Sequence, residues 1–256
     1  MGVMTLTASV SPAASAVPAD PIYVILPTYN EVENIEQLVP QLLALPNGLR
    51  VLVVDDNSPD GTGALADRQA AAQPERVGVI HRAGKLGLGT AYMAGFKQAL
   101  AHGAGAVLTM DADFSHHPRY IPALVAKLAE ADLVIGSRYV GDGQAVDSPA
   151  SRRLLSRGAN AVAHVALNLR ARDVTAGFRL YRRAVLESLP LDHIFSSGYS
   201  FLIELLYLVE RRGWRVAEVP IQFRDRTMGQ SKISRTEVFR ALYTVARLSY
   251  RRLRGR

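Results

Sequence analysis

The sequence predicts an α/β protein built on a doubly wound, mainly parallel sheet with helices on both faces. Three observations predict it. Short β-branched runs alternate with helical patterns from Ile22 to Ser137, polar clusters follow those runs, and 256 residues suffice for one large domain. A continuous apolar run bounded by turn residues reads as a strand covered on both faces, as a parallel sheet requires.

Each element can be justified in order. Ile22–Leu26 is an apolar run ending at Pro27, and Asn34–Leu45 reads as a helix with Ile35, Leu38, Val39 and Leu42 on one face. Arg50–Val54 reads as a buried strand ending in Asp55-Asp56, followed by a helix over Thr62–Ala72 and a strand over Val77–His81. A helix over Thr90–His102 leads to a fourth strand, Ala106–Met110, ending in Asp111-Ala112-Asp113; a helix over Tyr120–Leu128 then leads to Leu133–Ser137. Beyond residue 140 the pattern loosens. Leu154–Leu167 reads as a helix, Gly177–Tyr181 as a strand, Tyr199–Arg211 as a helix and Glu237–Leu253 as a final helix. Val216–Phe223 alternates like a strand, and Pro220 assigns it to a sheet edge.

Three domain segments are expected: a disordered tail over 1–20, a catalytic-type α/β domain over 21–236, and a basic amphipathic helix over 237–256. The tail lacks the basic start and apolar block of a signal peptide, and no stretch is long enough to span a bilayer. There are no cysteines, which excludes disulfides, thiolate zinc sites and cysteine nucleophiles and suits a reducing compartment. The net charge of +7 favours anionic partners, but the excess gathers near the end, in Arg235, Arg240, Arg247, Arg251, Arg252, Arg254 and Arg256. The final helix sets Phe239, Leu242, Tyr243, Ala246, Tyr250 and Leu253 on one face with arginines beside them. That pattern suits an anionic membrane surface or an ordinary packed helix. No aromatic-basic RNA motif accompanies it, so nucleic acid is not an expected partner.

In doubly wound sheets the ligand crevice lies at the carboxyl ends of the strands, which is where the polar clusters fall. Asp111 and Asp113, one residue apart after a buried strand, can face one hard cation, Mg²⁺ or Mn²⁺, with water and substrate phosphate as further ligands. The alternative is that they cap the helix starting near Pro118. His116 and His117 are read as locally bonded rather than as ligands. Asp56 is the candidate acceptor for a ribose or base edge, while Asp60 in Asn57-Ser58-Pro59-Asp60-Gly61-Thr62 reads as a turn and cap residue. The Gly84–Gly89 segment, with Lys85, reads as a loop closing near a phosphate donor; its spacing is not that of a dinucleotide fingerprint. Arg138, then Arg152, Arg153 and Arg157, and finally Arg226 and Lys232 in RTMGQSK, suggest a site for more than one phosphate group.

Taken together, LPTYNE, VVDDNSPDGT, GKLGLG, MDADFSHHP, GSRY, SRGAN, TAGFRLYRR and RTMGQSK resemble the dolichyl- or polyprenol-phosphate mannose synthases, inverting glycosyltransferases with the Rossmann-like GT-A fold. The resemblance runs from Ile22 to the last helix. It implies that Pro27, Tyr29, Glu31, Val54 and Asp56 surround the guanosine of GDP-mannose. It implies that Asp111, Ala112 and Asp113 hold the metal and diphosphate, with Arg138, Arg226, Lys232 and Arg152 on phosphate groups. Some members carry Gln where this chain has Ser115. Some also carry C-terminal transmembrane helices. This chain resembles the short form, which implies a peripheral protein on the cytoplasmic face and a membrane-anchoring partner protein. The implied acceptor is a polyprenyl monophosphate. The alternatives are glucosyl transfer from UDP-glucose and a non-catalytic nucleotide-sugar-binding protein.

Overall fold

The computed structural model describes residues 20–146, 150–198, 200–224 and 235–254, with the backbone alone for 150–155 and 235–238. Residues 1–19 of the tail expected over 1–20, together with Arg226, Lys232 and Arg256, lie outside the described residues, as does the side chain of Arg152.

The elements run β1 (Ile22–Thr28), α1 (Val32–Leu43), β2 (Arg50–Asp55), α2 (Thr62–Ala72), β3 (Val77–His81), α3 (Leu88–Ala101) and β4 (Ala106–Thr109). A 3₁₀ turn (Pro118–Tyr120) leads into α4 (Ile121–Lys127), β5 (Leu133–Ser137), β6 (Gln144–Val146) and α5 (Ala150–Leu167). Then come β7 (Arg179–Arg182), α6 (Arg183–Ser188), α7 (Ser200–Arg211), β8 (Val216–Pro220), β9 (Gln222–Arg224) and α8 (Arg235–Leu253).

Seven strands form one sheet in the order β3-β2-β1-β4-β7-β5-β8. Both faces are covered, because alternate residues of each strand enter separate cores. Val24, Leu26, Val51, Val53 and Leu108 meet Ile35, Leu38 and Leu42 of α1 and Leu124 of α4. Tyr23, Ile25, Leu52 and Val107 meet Tyr92 and Phe96 of α3 and Phe201 and Leu205 of α7. Full burial of each such side chain contributes roughly 1.5–3 kcal/mol, so the doubly wound sheet follows from the strand pattern itself.

Two details correct the sequence reading. The strand near Gly177 begins at Arg179 and runs antiparallel, between β4 and β5. Its first residue, Arg179, is a fully buried arginine whose Nη1 and Nη2 donate to the Leu202 and Val174 carbonyls at 2.7 Å each. The stretch 216–223 is not one strand. β8 is an edge of the main sheet, as Pro220 indicated: the N–H that proline lacks falls on the side facing away from β5, where no strand pairs with it. The Ile221 N–H bonds Ser137 O, and Gln222–Arg224 pairs with β6 in a separate two-stranded sheet.

The antiparallel β7 matters for function. β1, β2, β4 and β5 all point their carboxyl ends at one edge, and β7 enters the sheet from that same edge. The segment just before it, Asp173–Phe178, is therefore delivered beside the acids and Arg138.

Candidate active site

The site is built where the chain turns back after each strand. After β1, β2 and β4 it turns through a left-handed residue: Asn30 (φ 58°), Asn57 (φ 58°) and Phe114 (φ 59°). Asparagine tolerates this conformation, whereas a phenylalanine there costs about 1–2 kcal/mol. The cost falls on the residue after Asp113, and strain held in place by surrounding packing is common at functional turns.

The first two turns are tied together. Asn30 N–H donates to Ser58 Oγ, Glu31 N–H to Thr62 Oγ1 and Val32 N–H to Asp60 Oδ2. Asp60 also accepts from Thr62 N–H at 3.0 Å and its hydroxyl at 2.6 Å, so it satisfies donors at the starts of both α1 and α2, as a cap residue should. Asp55 is structural. It accepts from Ser58 N–H, Ser58 Oγ and Thr28 Oγ1, and a Cβ added at Gly63 would lie 2.9 Å from its Oδ2.

Asp56 is different. It is buried, with Arg82 Nη1 3.1 Å from its Oδ1, yet neither atom completes a hydrogen bond. Burial pushes its carboxyl above the ordinary value; Arg82 and the Leu86 N–H pull the other way without prevailing, and Asp55 adds to the rise. The glycine loop thus packs beside Asp56, and its Lys85 ammonium lies 4.5 Å from the Tyr29 ring centroid. Tyr29, Asp56 and Lys85 form one corner. Glu31 begins α1 beside it and accepts from Asn34 Nδ2 at 2.7 Å. Pro27 and Val54 are register partners in the sheet, and the Val54 side chain belongs to the core, so only its backbone faces outward.

At the end of β4, Asp113 Oδ1 accepts from Ser115 N–H at 3.1 Å and its hydroxyl at 2.6 Å. Asp111 Oδ1 is 3.5 Å from the Tyr92 hydroxyl, and Asp111 N–H donates to His116 Nδ1 at 3.2 Å. His116 is buried and stacked on Phe178. Burial lowers its pKa despite the opposing pull of Asp111 and Asp113, so it is a neutral acceptor holding the turn. The Ala112 side chain enters the core, leaving its backbone at the turn.

The donor set fits a hard divalent cation. Asp111 and Asp113 offer carboxylate oxygens, and a Cβ on Gly177 would stand 3.9 Å from Asp111 Oδ1 and 3.6 Å from the His116 ring. Those are ordinary van der Waals distances, so the fit rests on the carboxylate pair itself. Among the described residues no group of three Asp, Glu, His or Cys could hold a metal alone. A cation here would draw its remaining ligands from a bound diphosphate and water, the usual arrangement for Mg²⁺.

Arg138, read from sequence as a phosphate contact, is bound on the protein side. Its Nε donates to Asp173 Oδ2 at 2.9 Å, and its Nη2 to Asp173 Oδ1 at 2.7 Å and Thr175 Oγ1 at 2.8 Å. Its backbone N–H also donates to Asp173. Burial opposes both charges. The pairing outweighs it, holding the Asp173 carboxyl below its ordinary value and the guanidinium above its own. Asp173 is placed in turn by Glu218, which accepts its N–H, while Asn160 accepts from Val174 N–H. A cavity of about 350 Å³ opens here, lined by Arg138, Tyr139, Gly141, Gly143, Arg157 and Asn160.

Among the described residues, the structure brings the predicted site residues to one edge in two groups. Tyr29, Glu31, Asp56, Lys85, Asp111 and Asp113 line the ends of β1, β2 and β4, while Arg138 sits at the end of β5. Sequence reasoning did not single out Arg82, Tyr92, Asp173 or Thr175. The signal available was the segment RDVTAG, whose acid and glycine lie just before a strand.

The family model for glycosyl transferase family 2 matches residues 23–189. The chain is 45% identical over 234 residues to the polyprenol monophosphomannose synthase of Mycolicibacterium smegmatis, covering 91% of this chain and 88% of that protein. It is 43% identical over 226 residues to the undecaprenyl-phosphate mannosyltransferase of Micrococcus luteus, covering 88% and 93%. Among solved structures, glucosyl-3-phosphoglycerate synthase of Mycobacterium tuberculosis in complex with Mg²⁺ and UDP superposes with a TM-score of 0.66. That match has 22% identity and covers 91% of this chain and 80% of that one. The family match and the two close relatives place the chain in glycosyl transferase family 2, with the GT-A fold.

Proposed function

We propose that this protein transfers mannose from GDP-mannose to a polyprenyl monophosphate with inversion, giving a β-mannosyl phosphopolyprenol. The observation that carries the reading is the meeting, on one sheet edge, of a carboxylate pair suited to a metal and a half-buried arginine beside a cationic cavity. The two close relatives bear names for this transfer to polyprenyl-type phosphates.

A phosphate monoester has a second pKa near about 6, so the acceptor is mostly dianionic at neutral pH and needs no strong base. One of its oxygens bonds the anomeric carbon as the bond to the diphosphate oxygen breaks and GDP departs with the electron pair. The obstacle is bringing two anions together. When bound by Asp111 and Asp113, a divalent cation supplies positive charge to the leaving diphosphate. Asp56, with an oxygen that no protein donor satisfies, accepts from the guanine edge, and Lys85 and Tyr29 flank the nucleoside. Arg138 keeps Nη1 for the acceptor phosphate, its other donors being fixed on Asp173 and Thr175. Arg152, Arg226 and Lys232 add cationic charge to the same step. The reaction runs at the cytoplasmic face of the membrane, where a water-soluble donor meets a lipid acceptor.

The test is incubation of the purified chain with labelled GDP-mannose, Mg²⁺ or Mn²⁺ and polyprenyl phosphate, followed by lipid extraction. Label should enter the lipid phase, unlabelled GDP-mannose should suppress it, and UDP-glucose should not. Transfer from UDP-glucose instead would overturn the donor assignment.

A further inference from the structure

We propose that the outward face of α8 is a docking surface for an anionic lipid bilayer. The sequence alone left two options for its apolar stripe, core packing or a membrane, and the structure separates them. α8 packs on α7 and α5 through Thr244, Val245 and Leu248, which are buried. The stripe of Phe239, Leu242, Tyr243, Tyr250 and Leu253 points the other way, with exposures of 71%, 50%, 62%, 52% and 86%. These are most of the large apolar side chains that are exposed among the described residues. Two more, Val162 and Val165, lie on α5, whose Ala166 carbonyl accepts from Ser249 and Arg252 of α8.

Charge decides what covers the stripe. From Phe239 to Arg254 the helix carries Arg240, Arg247, Arg251, Arg252 and Arg254 and no acid. At 100° per residue, Arg254, Arg247, Arg240 and Arg251 follow Tyr243 around the helix, so one flank of the stripe is cationic. Arg254 lies over the Tyr250 ring at 4.5 Å, while Arg247 lies over Phe195 at 4.0 Å. A second copy of this chain would bring like charges together along the contact, which is unfavourable. A straight stripe about 20 Å long, with Phe and Leu for the acyl boundary, Tyr for the headgroup level and arginines for anionic lipid, matches an interfacial helix. No helix among the described residues is long and apolar enough to cross a membrane, so α8 would lie in the surface plane.

The proposal draws its meaning from a lipid acceptor, but its test requires neither donor nor acceptor. The full chain is sedimented with vesicles of phosphatidylcholine, with and without phosphatidylglycerol. Binding should need phosphatidylglycerol and weaken as salt rises. It should fall at least about tenfold in Phe239→Ser/Leu253→Ser and in Arg240→Gln/Arg251→Gln/Arg254→Gln. Phe239 and Leu253 are exposed, whereas Arg251 also lies over the Phe195 ring at 5.3 Å, so thermal melting checks that the variants fold. In Phe239→Trp, made with Trp214→Phe, brominated lipid should quench the new indole. Absence of vesicle binding, equal binding by the apolar variant, or an unquenched indole overturns the proposal. So does concentration-dependent self-association that the Phe239/Leu253 variant abolishes.

Discussion

Two buried arginine–carboxylate pairs sit at the same sheet edge and behave in opposite ways. Asp173 takes two side-chain bonds from Arg138 and one from its backbone, and its carboxyl is held below the ordinary value because pairing outweighs burial. Asp56 has Arg82 at a comparable distance, 3.1 Å, but without a completed hydrogen bond, and burial drives its carboxyl up. Proximity of charge is not enough; saturation of the oxygens decides. The saturated pair is scaffolding that aims Arg138, while the unsaturated oxygen is where a ligand's donors fit.

The sharpest way to break this contrast is to remove each acid. Asp173→Ala leaves Arg138 half-buried without its partner and should cost about 3–5 kcal/mol in chemical denaturation. Asp56→Asn should change stability by less than about 1 kcal/mol but weaken GDP binding roughly tenfold by calorimetry, the loss of one charge-assisted bond. Equal destabilisation by the two would erase the distinction.

Acid titration sharpens it further. Asp173 and Asp132, the latter bonded by Arg215, bind protons more weakly folded than unfolded. They add stability above the ordinary carboxylate value of 3.8, and that contribution fades as pH falls through the depressed folded values. Asp56 acts in the opposite sense, because its raised value disfavours the ionised folded form as pH rises through the carboxylate range. Thermal midpoints should therefore drop on acidification below about pH 4, and Asp173→Asn should flatten the drop whereas Asp56→Asn should not. The smallest effect is expected at the rim. Lys85→Met removes a cation–π contact with Tyr29 worth about 0.5–1 kcal/mol, so the thermal midpoint should fall slightly and donor affinity a few-fold.

The same contrast explains what the sequence made legible. The strands and the acid corner were readable because their signals are local: apolar runs for β1, β2 and β4, and turn residues such as Asp60 and Ser115 within two or three positions of their partners. Arg138's holder was not, since Asp173 lies 35 residues away, in the segment leading into an antiparallel strand that opens with a buried arginine. Nothing in residue spacing distinguishes Arg179, which is buried on carbonyl oxygens, from a surface arginine. For α8 the periodicity revealed an apolar stripe but not its direction, because Val245 and Leu248 on the opposite side form a second one that the core takes up.

The most direct measurement concerns the cation shared by Asp111 and Asp113 with the donor's diphosphate. GDP is titrated into the wild type and into Asp113→Ala, each with and without Mn²⁺, and transfer to polyprenyl phosphate is assayed in parallel. Affinity should rise with Mn²⁺ in the wild type alone. The variant, still folded, should lose metal-dependent binding and at least about 10²–10³-fold of its transfer rate. Equal GDP affinity with and without metal, or a fully active Asp113→Ala, would contradict the account.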